Sequence, residues 1–186
     1  MALKVTFDLE DKDLKYFRAQ MKAAQDSAKR ASEEEIVGKA EAMINEVAAA
    51  GVPNFVMQRV ERLRALIDML GDKEWALAAT ERKNVLAALA YFADPQDLIP
   101  DSVPVLGYID DAIMIELVVT ELKHEIDAFN DFCRFRDAEA SRNRNPAVTR
   151  AQYIEAKRHE LHSRMRRRRQ ARPGSSGASR TRLRLF

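Results

Sequence analysis

The sequence predicts an all-α protein, an up-and-down bundle of helices with a Pro/Asp-rich helical hairpin at its centre and a basic C-terminal helix and tail. Three observations carry this prediction. Only 6 of the 186 residues are glycine, while Ala, Glu, Lys, Arg and Leu abound, a composition that favours helix. Apolar residues recur at alternating steps of three and four, which places them on one face of a helix. The segments between such runs are short, which makes sequential helices antiparallel neighbours. The length suits one domain with tails and is enough to bury a real core.

The first helix is expected from Asp8 or Asp11 to Ala31, with Leu14, Phe17, Met21, Ala24 and Ala28 as its stripe. Acidic residues gather at its start and Lys29-Arg30 close it, as the helix dipole prefers. Ser32-Glu33-Glu34-Glu35 forms a capping box for a second helix. Its face is Ile36, Ala40, Met43 or Ile44, and Val47, and Gly51 ends it. Pro53 suits the first turn of a third helix, where Val56, Val60, Leu63, Ile67 and Leu70 line up until Gly71. Asp72 is placed to cap a short helix carrying Trp75 and Leu77, and Thr80 to cap the helix after it. That helix turns Val85, Leu86, Leu89 and Phe92 inward, with Tyr91 beside them.

Asp94-Pro95 stops it. With Pro95, Pro100 and Pro104 in the chain, residues 94–107 must be extended or turning. Leu98, Ile99, Val103, Val105, Leu106 and Ile109 are apolar, so this connector is expected to pack inward, with Asp97 and Asp101 capping its turns. An unpaired buried backbone group would cost about 1–3 kcal/mol. Asp110 is expected as the N-cap, with Asp111 in the first turn, of a long helix to Arg136. Ile115, Val119, Leu122, Ile126, Phe129 and Cys133 form its stripe, and Glu116, Glu121 and Glu125 suggest a wet opposite face. An exposed stripe there would mean either packing within the chain or a dimer seam, which leaves the oligomeric state open.

The run Tyr91, Pro95, Asp97-Leu98-Ile99-Pro100-Asp101, Pro104, Gly107, Asp110-Asp111 resembles the signature of the YkvA-like family, small and mostly bacterial proteins that share a domain of unknown function. The resemblance covers about residues 83–120. Ser102 departs from it, standing where an aliphatic or aromatic residue is expected, and counts against insertion of the hairpin into lipid. What the resemblance implies is a helical fold and a membrane association, without an activity. Tyr91, Asp94, Pro95, Asp97, Pro100, Asp101, Pro104, Gly107, Asp110 and Asp111 are therefore the candidate structural or ligand-binding motif.

The net charge of +2 hides an uneven distribution. Residues 1–140 hold 17 Lys and Arg against 27 Asp and Glu, whereas residues 141–186 hold 14 against 2. The chain divides into an acidic helical body (1–140), a basic helix (141–172) and a Gly/Ser/Pro-containing tail (173–186) expected to be disordered. Pro146 and the box Thr149–Gln152 are expected to start the basic helix, with Tyr153, Ala156 or Lys157, Leu161 and Met165 as its stripe. Arg164, Arg166, Arg167, Arg168, Arg169 and Arg172 are candidates for binding an anionic surface. Three partners suit them: an anionic membrane, the phosphates of a nucleic acid, or the acidic body of the same chain, in which case the arm is a solubilising tail. The family resemblance favours the membrane, and the lack of aromatic residues interleaved along the arm disfavours stacking on single strands.

Signals for catalysis are sparse. Asp97, Asp101, Asp110 and Asp111 would suit a hard cation such as Mg²⁺ or Ca²⁺, but capping of turns is the preferred role, so no cofactor is expected. Asp94 opposes the dipole at a helix C-terminus and wants a cationic partner, a backbone donor or an ion. His159 and His162, with Glu155 and Glu160 nearby, look like half a metal site, but a solvated face of an arginine-rich helix is preferred. His124 is expected to be structural or exposed, and Met43, Met57, Met69 and Met114 to fill the core. No nucleophile motif, phosphate-cradling loop or zinc spacing is present, so an enzyme is disfavoured, a cation-dependent one on the aspartates being the remaining form. The single Cys133 fits a reducing compartment. The start, MALKVTFDLEDKDLKYF, has no apolar core of a signal peptide. The longest charge-free run of the chain, Val47–Gln58, contains Gly51 and Pro53 and falls short of the ~20 residues of a span. The function expected is that of a non-enzymatic adaptor or interaction protein with an unidentified protein partner. It would sit on the cytoplasmic side, peripheral to or partly inserted in the inner membrane, and would not be secreted.

Overall fold

The computed structural model describes residues 9–52, 54–93, 109–141 and 147–171. Within them the chain is an all-α bundle of seven helices: α1 (Asp11–Ser27), α2 (Glu33–Ala49), α3 (Asn54–Gly71), α4 (Ala79–Leu89), α5 (Ile109–Glu121), α6 (Lys123–Ser141) and α7 (Ala147–Gln170). Short 3-10 turns follow α1 and α4, and the described residues contain no strand.

Local signals set the first three helices. Leu14, Met21 and Ala24 of α1 are buried, and the chain closes through the 3-10 turn Ala28–Arg30. The box at Ser32 forms as expected: the Glu35 N–H donates to Ser32 Oγ at 3.2 Å, and the Ser32 N–H donates to Glu35 Oε2 at 2.8 Å. Such a cap contributes about 0.5–2 kcal/mol. Ile36, Ala40, Ile44 and Val47 face inward, so Ile44 takes the position it shared with Met43. Gly51, at φ +66°, turns the chain in the left-handed region that glycine enters without a Cβ clash. On α3 the expected stripe is widened by Phe55, Leu66 and Met69, because this helix touches α2, α4, α5 and α6.

Asp72 caps as expected, but no helix follows. Its Oδ1 accepts the N–H groups of Glu74 and Trp75, both at 2.9 Å, and the Ala76 N–H reaches the Asp72 carbonyl at 3.0 Å. Ala76 then adopts φ +47°, which costs a residue with a Cβ about 1–2 kcal/mol and ends the turn. Thr80 does not cap α4 either. The helix starts at Ala79, its N-cap Ala78 makes no side-chain bond, and Thr80 lies inside the first turn. Arg82 secures this corner: its Nη1 donates to the Leu70 carbonyl at 2.9 Å and its Nε to Glu33 at 2.9 Å. It joins the end of α3 to the start of α2.

After α4, the 3-10 turn Ala90–Ala93 holds Tyr91 and Phe92 inside the core. The connector at 94–108, with its expected inward packing and caps, lies outside the described residues, as does the tail from 172 onward. α5 begins at Ile109, so Asp110 sits in the first turn and is not its N-cap. The long helix expected to Arg136 is two helices divided at Leu122, although Leu122 bonds back to Val118 at 2.9 Å and forward to Ile126 at 3.0 Å. Its stripe packs inside the chain's own core. Glu125 corrects the wet-face expectation: it is 1% exposed. α7 starts two residues ahead of Thr149, which is therefore not a cap. Ile154, Leu161 and Met165 enter the core while Tyr153 stays exposed, a phenol that keeps its hydroxyl in water.

Candidate functional site

Two regions hold the candidate residues. In the first, Tyr91 is buried with its ring edge-on to Phe92 at 5.2 Å. Asp110 is buried and Asp111 half-buried at the start of α5. One turn further on, Glu116 fastens α5 to α3: Arg59 Nε lies 3.2 Å and Arg62 Nη1 3.8 Å from its Oε2. Arg59 Nη1 also donates to the Phe55 carbonyl at 2.9 Å. Asp94, Pro95, Asp97, Pro100, Asp101, Pro104 and Gly107 lie outside the described residues. The four-aspartate cation set therefore has two members in view, Asp110 and Asp111. Among the described residues no group of three or more His, Cys, Asp or Glu is arranged to hold a metal.

The second region is a seam of charge along α7. Arg164 pairs with Asp131 of α6, which Arg134 also contacts. Arg166 Nε lies 3.0 Å from Glu81 Oε1 of α4, and Arg169 Nη1 donates to Glu125 Oε1 of α6 at 3.0 Å. Numbers rise along α7 as they fall along α6, so the two helices run antiparallel. Arg158 Nη1 adds a longer contact, 3.4 Å, to the Glu74 carbonyl. Arg136 of α6 grips the same 72–78 segment, through Asp72 at 2.6 Å and Glu74 at 3.1 Å. Arg167 and Arg168 stand exposed near the end of α7, and Arg172 lies outside the described residues.

These carboxyls differ. Burial pushes Glu125 up, and its own backbone N–H, then Arg169 and His124, pull it back only in part. Its Oε2 finds no hydrogen-bond partner among the described residues. Burial also works against the ionisation of Asp131, but Arg164 and Arg134 outweigh it and hold the carboxyl below its usual range. The seam thus carries one carboxylate that its partners stabilise and one that its site strains.

Residues 84–117 match the DUF1232 family, proteins of unknown function. The match falls on the segment whose motif resembles the YkvA-like proteins. Among curated proteins and among solved structures the chain has no significant match. In the bundle the described part of the DUF1232 segment supplies core: Val85, Leu89, Tyr91 and Phe92 from one side, Ala112, Met114 and Ile115 from the other. No helix among the described residues is long and apolar enough to cross a membrane.

Sequence reasoning passed over Glu81, gave Glu125 and His162 to solvated faces, and placed Trp75 on a short helix without a role at the site. His162 overturns the expectation of a solvated histidine face: it is 8% exposed and packs edge-on to Trp75 at 4.2 Å between ring centroids. His159, by contrast, is exposed, 3.8 Å from Glu155. The signal for the buried polar residues was present in spacing. Glu125 follows Leu122 by three and precedes Phe129 by four, and His162 precedes Met165 by three.

Proposed function

We propose that this protein is a non-enzymatic interaction protein that works peripherally at an anionic membrane surface, on the cytoplasmic side of the inner membrane, with the end of α7 and the residues after it as the contact element. The observation that supports this reading is the exposure of Arg167 and Arg168 on the last turns of α7, directly ahead of a stretch that adds Arg172, Arg180, Arg182 and Arg184. Each basic residue near an anionic surface contributes about 1 kcal/mol, so the two exposed arginines need those neighbours to hold the protein there. Leu183, Leu185 and Phe186 would add shallow apolar contact.

The test is co-flotation of the full chain with phosphatidylserine-containing and with neutral phosphatidylcholine vesicles. Removing α7 would strip Leu161 and Met165 from the core, so the comparison uses Arg167→Gln with Arg168→Gln. The expected result is flotation with the anionic vesicles alone, reduced by added salt and by the paired substitution. A full chain that stays at the bottom with both vesicles contradicts the proposal. Steeply salt-dependent binding to duplex DNA in its place would move the role to nucleic acid.

A further inference from the structure

His162 occupies a site built for a neutral ring. It sits on the buried face of α7 with its ring against Trp75, at an interplanar angle of 76°. Trp75 is itself fully buried, flanked by Phe132 at 5.2 Å and Phe129 at 5.8 Å from α6. The Nε2 of His162 finds no hydrogen-bond partner among the described residues. The charged and titratable groups around it are unbalanced. From α7 itself come Arg158, His159 and Arg166, and from α4 comes Glu81, whose carboxylate already receives Arg166 at 3.0 Å. The 72–78 segment offers the Trp75 ring, and its Glu74 carbonyl is taken by Arg158. On α6, Glu125 is bound to Arg169. A proton on His162 would add a cation beside two arginines, where the one carboxylate acting on it is already engaged.

We propose that His162 is an acid-sensitive latch that docks α7 onto the bundle. Burial, then Arg166, holds its imidazole below the ordinary value, and the pull of Glu81 does not restore it. The sign follows from linkage. Above about pH 6.5 the imidazole is neutral whether α7 is docked or free, and docking has its full strength. Below that pH the free helix takes up a proton that the docked helix refuses, so docking weakens by up to about tenfold for each pH unit crossed. Glu125 works in the opposite direction, since its raised carboxyl favours the docked state in acid. It can blunt the effect and cannot mimic it. Undocking would also release Arg164, Arg166 and Arg169 from their carboxylates and enlarge the basic surface proposed above, although the latch does not depend on that proposal.

Trp75 is the only tryptophan, so the full chain reports on its own latch. The experiment follows Trp75 emission and the amide hydrogen exchange of residues 150–170, without lipid, from pH 8 to pH 5. The variants are His162→Phe, which keeps a ring and takes no proton, and His162→Gln, neutral and polar, read by the same criteria. In the wild type, emission is expected to shift to the red and α7 amides to lose protection below pH 6.5, while α3 amides keep theirs. Both variants are expected to show a flat response. Protection of α7 that persists to pH 5 in the wild type overturns the proposal, and so does an equal loss in the variants. Vesicle flotation plays no part in either outcome, so failure of the membrane reading leaves this one standing or falling on its own.

Discussion

α5 and α7 both lie against the bundle, but different forces hold them. α5 presents Ala112, Met114, Ile115 and Val118, all fully buried, and adds the Arg59–Glu116 pair. α7 inserts Ile154, Leu161 and Met165 and relies for the rest on arginines reaching Asp131, Glu81 and Glu125. Apolar burial is not weakened by charge screening and does not depend directly on pH. Ion pairs whose arginines are part-exposed depend on both, the Asp131 pair more than those of the buried Glu81 and Glu125. On this comparison α5 is expected to open only with the whole bundle, and α7 to open before it.

The largest expected effect strikes the framework. Ile115→Ala opens a cavity under α5 and should lower global stability by about 2–5 kcal/mol, seen as a lower denaturant midpoint with an unchanged slope. Loss confined to α5, with the other helices intact, would break the comparison. A smaller effect is expected at the 72–78 segment between α3 and α4, which arginines of α6 and α7 grip. Asp72→Ala removes the cap over Glu74 and Trp75 and one of the two carboxylates that hold Arg136, at a cost of about 1–3 kcal/mol. The near-ultraviolet circular dichroism of Trp75 should weaken with it. The smallest effect is one of sign. Because the Glu125 carboxyl is pushed up in the fold, its contribution is fully present below the ordinary carboxylate value and is lost as pH rises through the folded one. The melting temperature of Glu125→Gln should therefore gain on the wild type as pH rises from 4 to 8. A gain in the reverse direction would mean that Arg169 outweighs burial.

Much of the framework was legible because its signals are local. The Ser32 box and the stripes of α2 and α3 depend on residues within a turn or two of each other, and they formed as read. Where the outcome depends on distant residues, it was not legible. Asp72 caps one turn or a whole helix with the same bonds, and the left-handed Ala76 that decides the matter lies in a segment gripped by Arg136 and Arg158. Tyr153 and Ile154 are adjacent and both apolar, so only packing against the body could choose between them. Glu125 lay on the apolar stripe by spacing, yet its acidity suggested water until Arg169, 44 residues away, was seen to reach it. The DUF1232 segment was recognisable from its prolines and aspartates, most of which lie outside the described residues, while the seam of α7 came from pairs that no local pattern records.

Residue-resolved hydrogen exchange of the full chain at 50 mM and at 1 M salt, at pH 7.5, tests the central claim most directly. The account predicts that α7 opens at a lower free energy than α3 and α5, and that salt lowers the opening free energy of α7 alone, since pairs at such a seam are screened within about 3 Å at 1 M. Equal opening free energies for the three helices, unmoved by salt, would show that α7 belongs to the framework and contradict it.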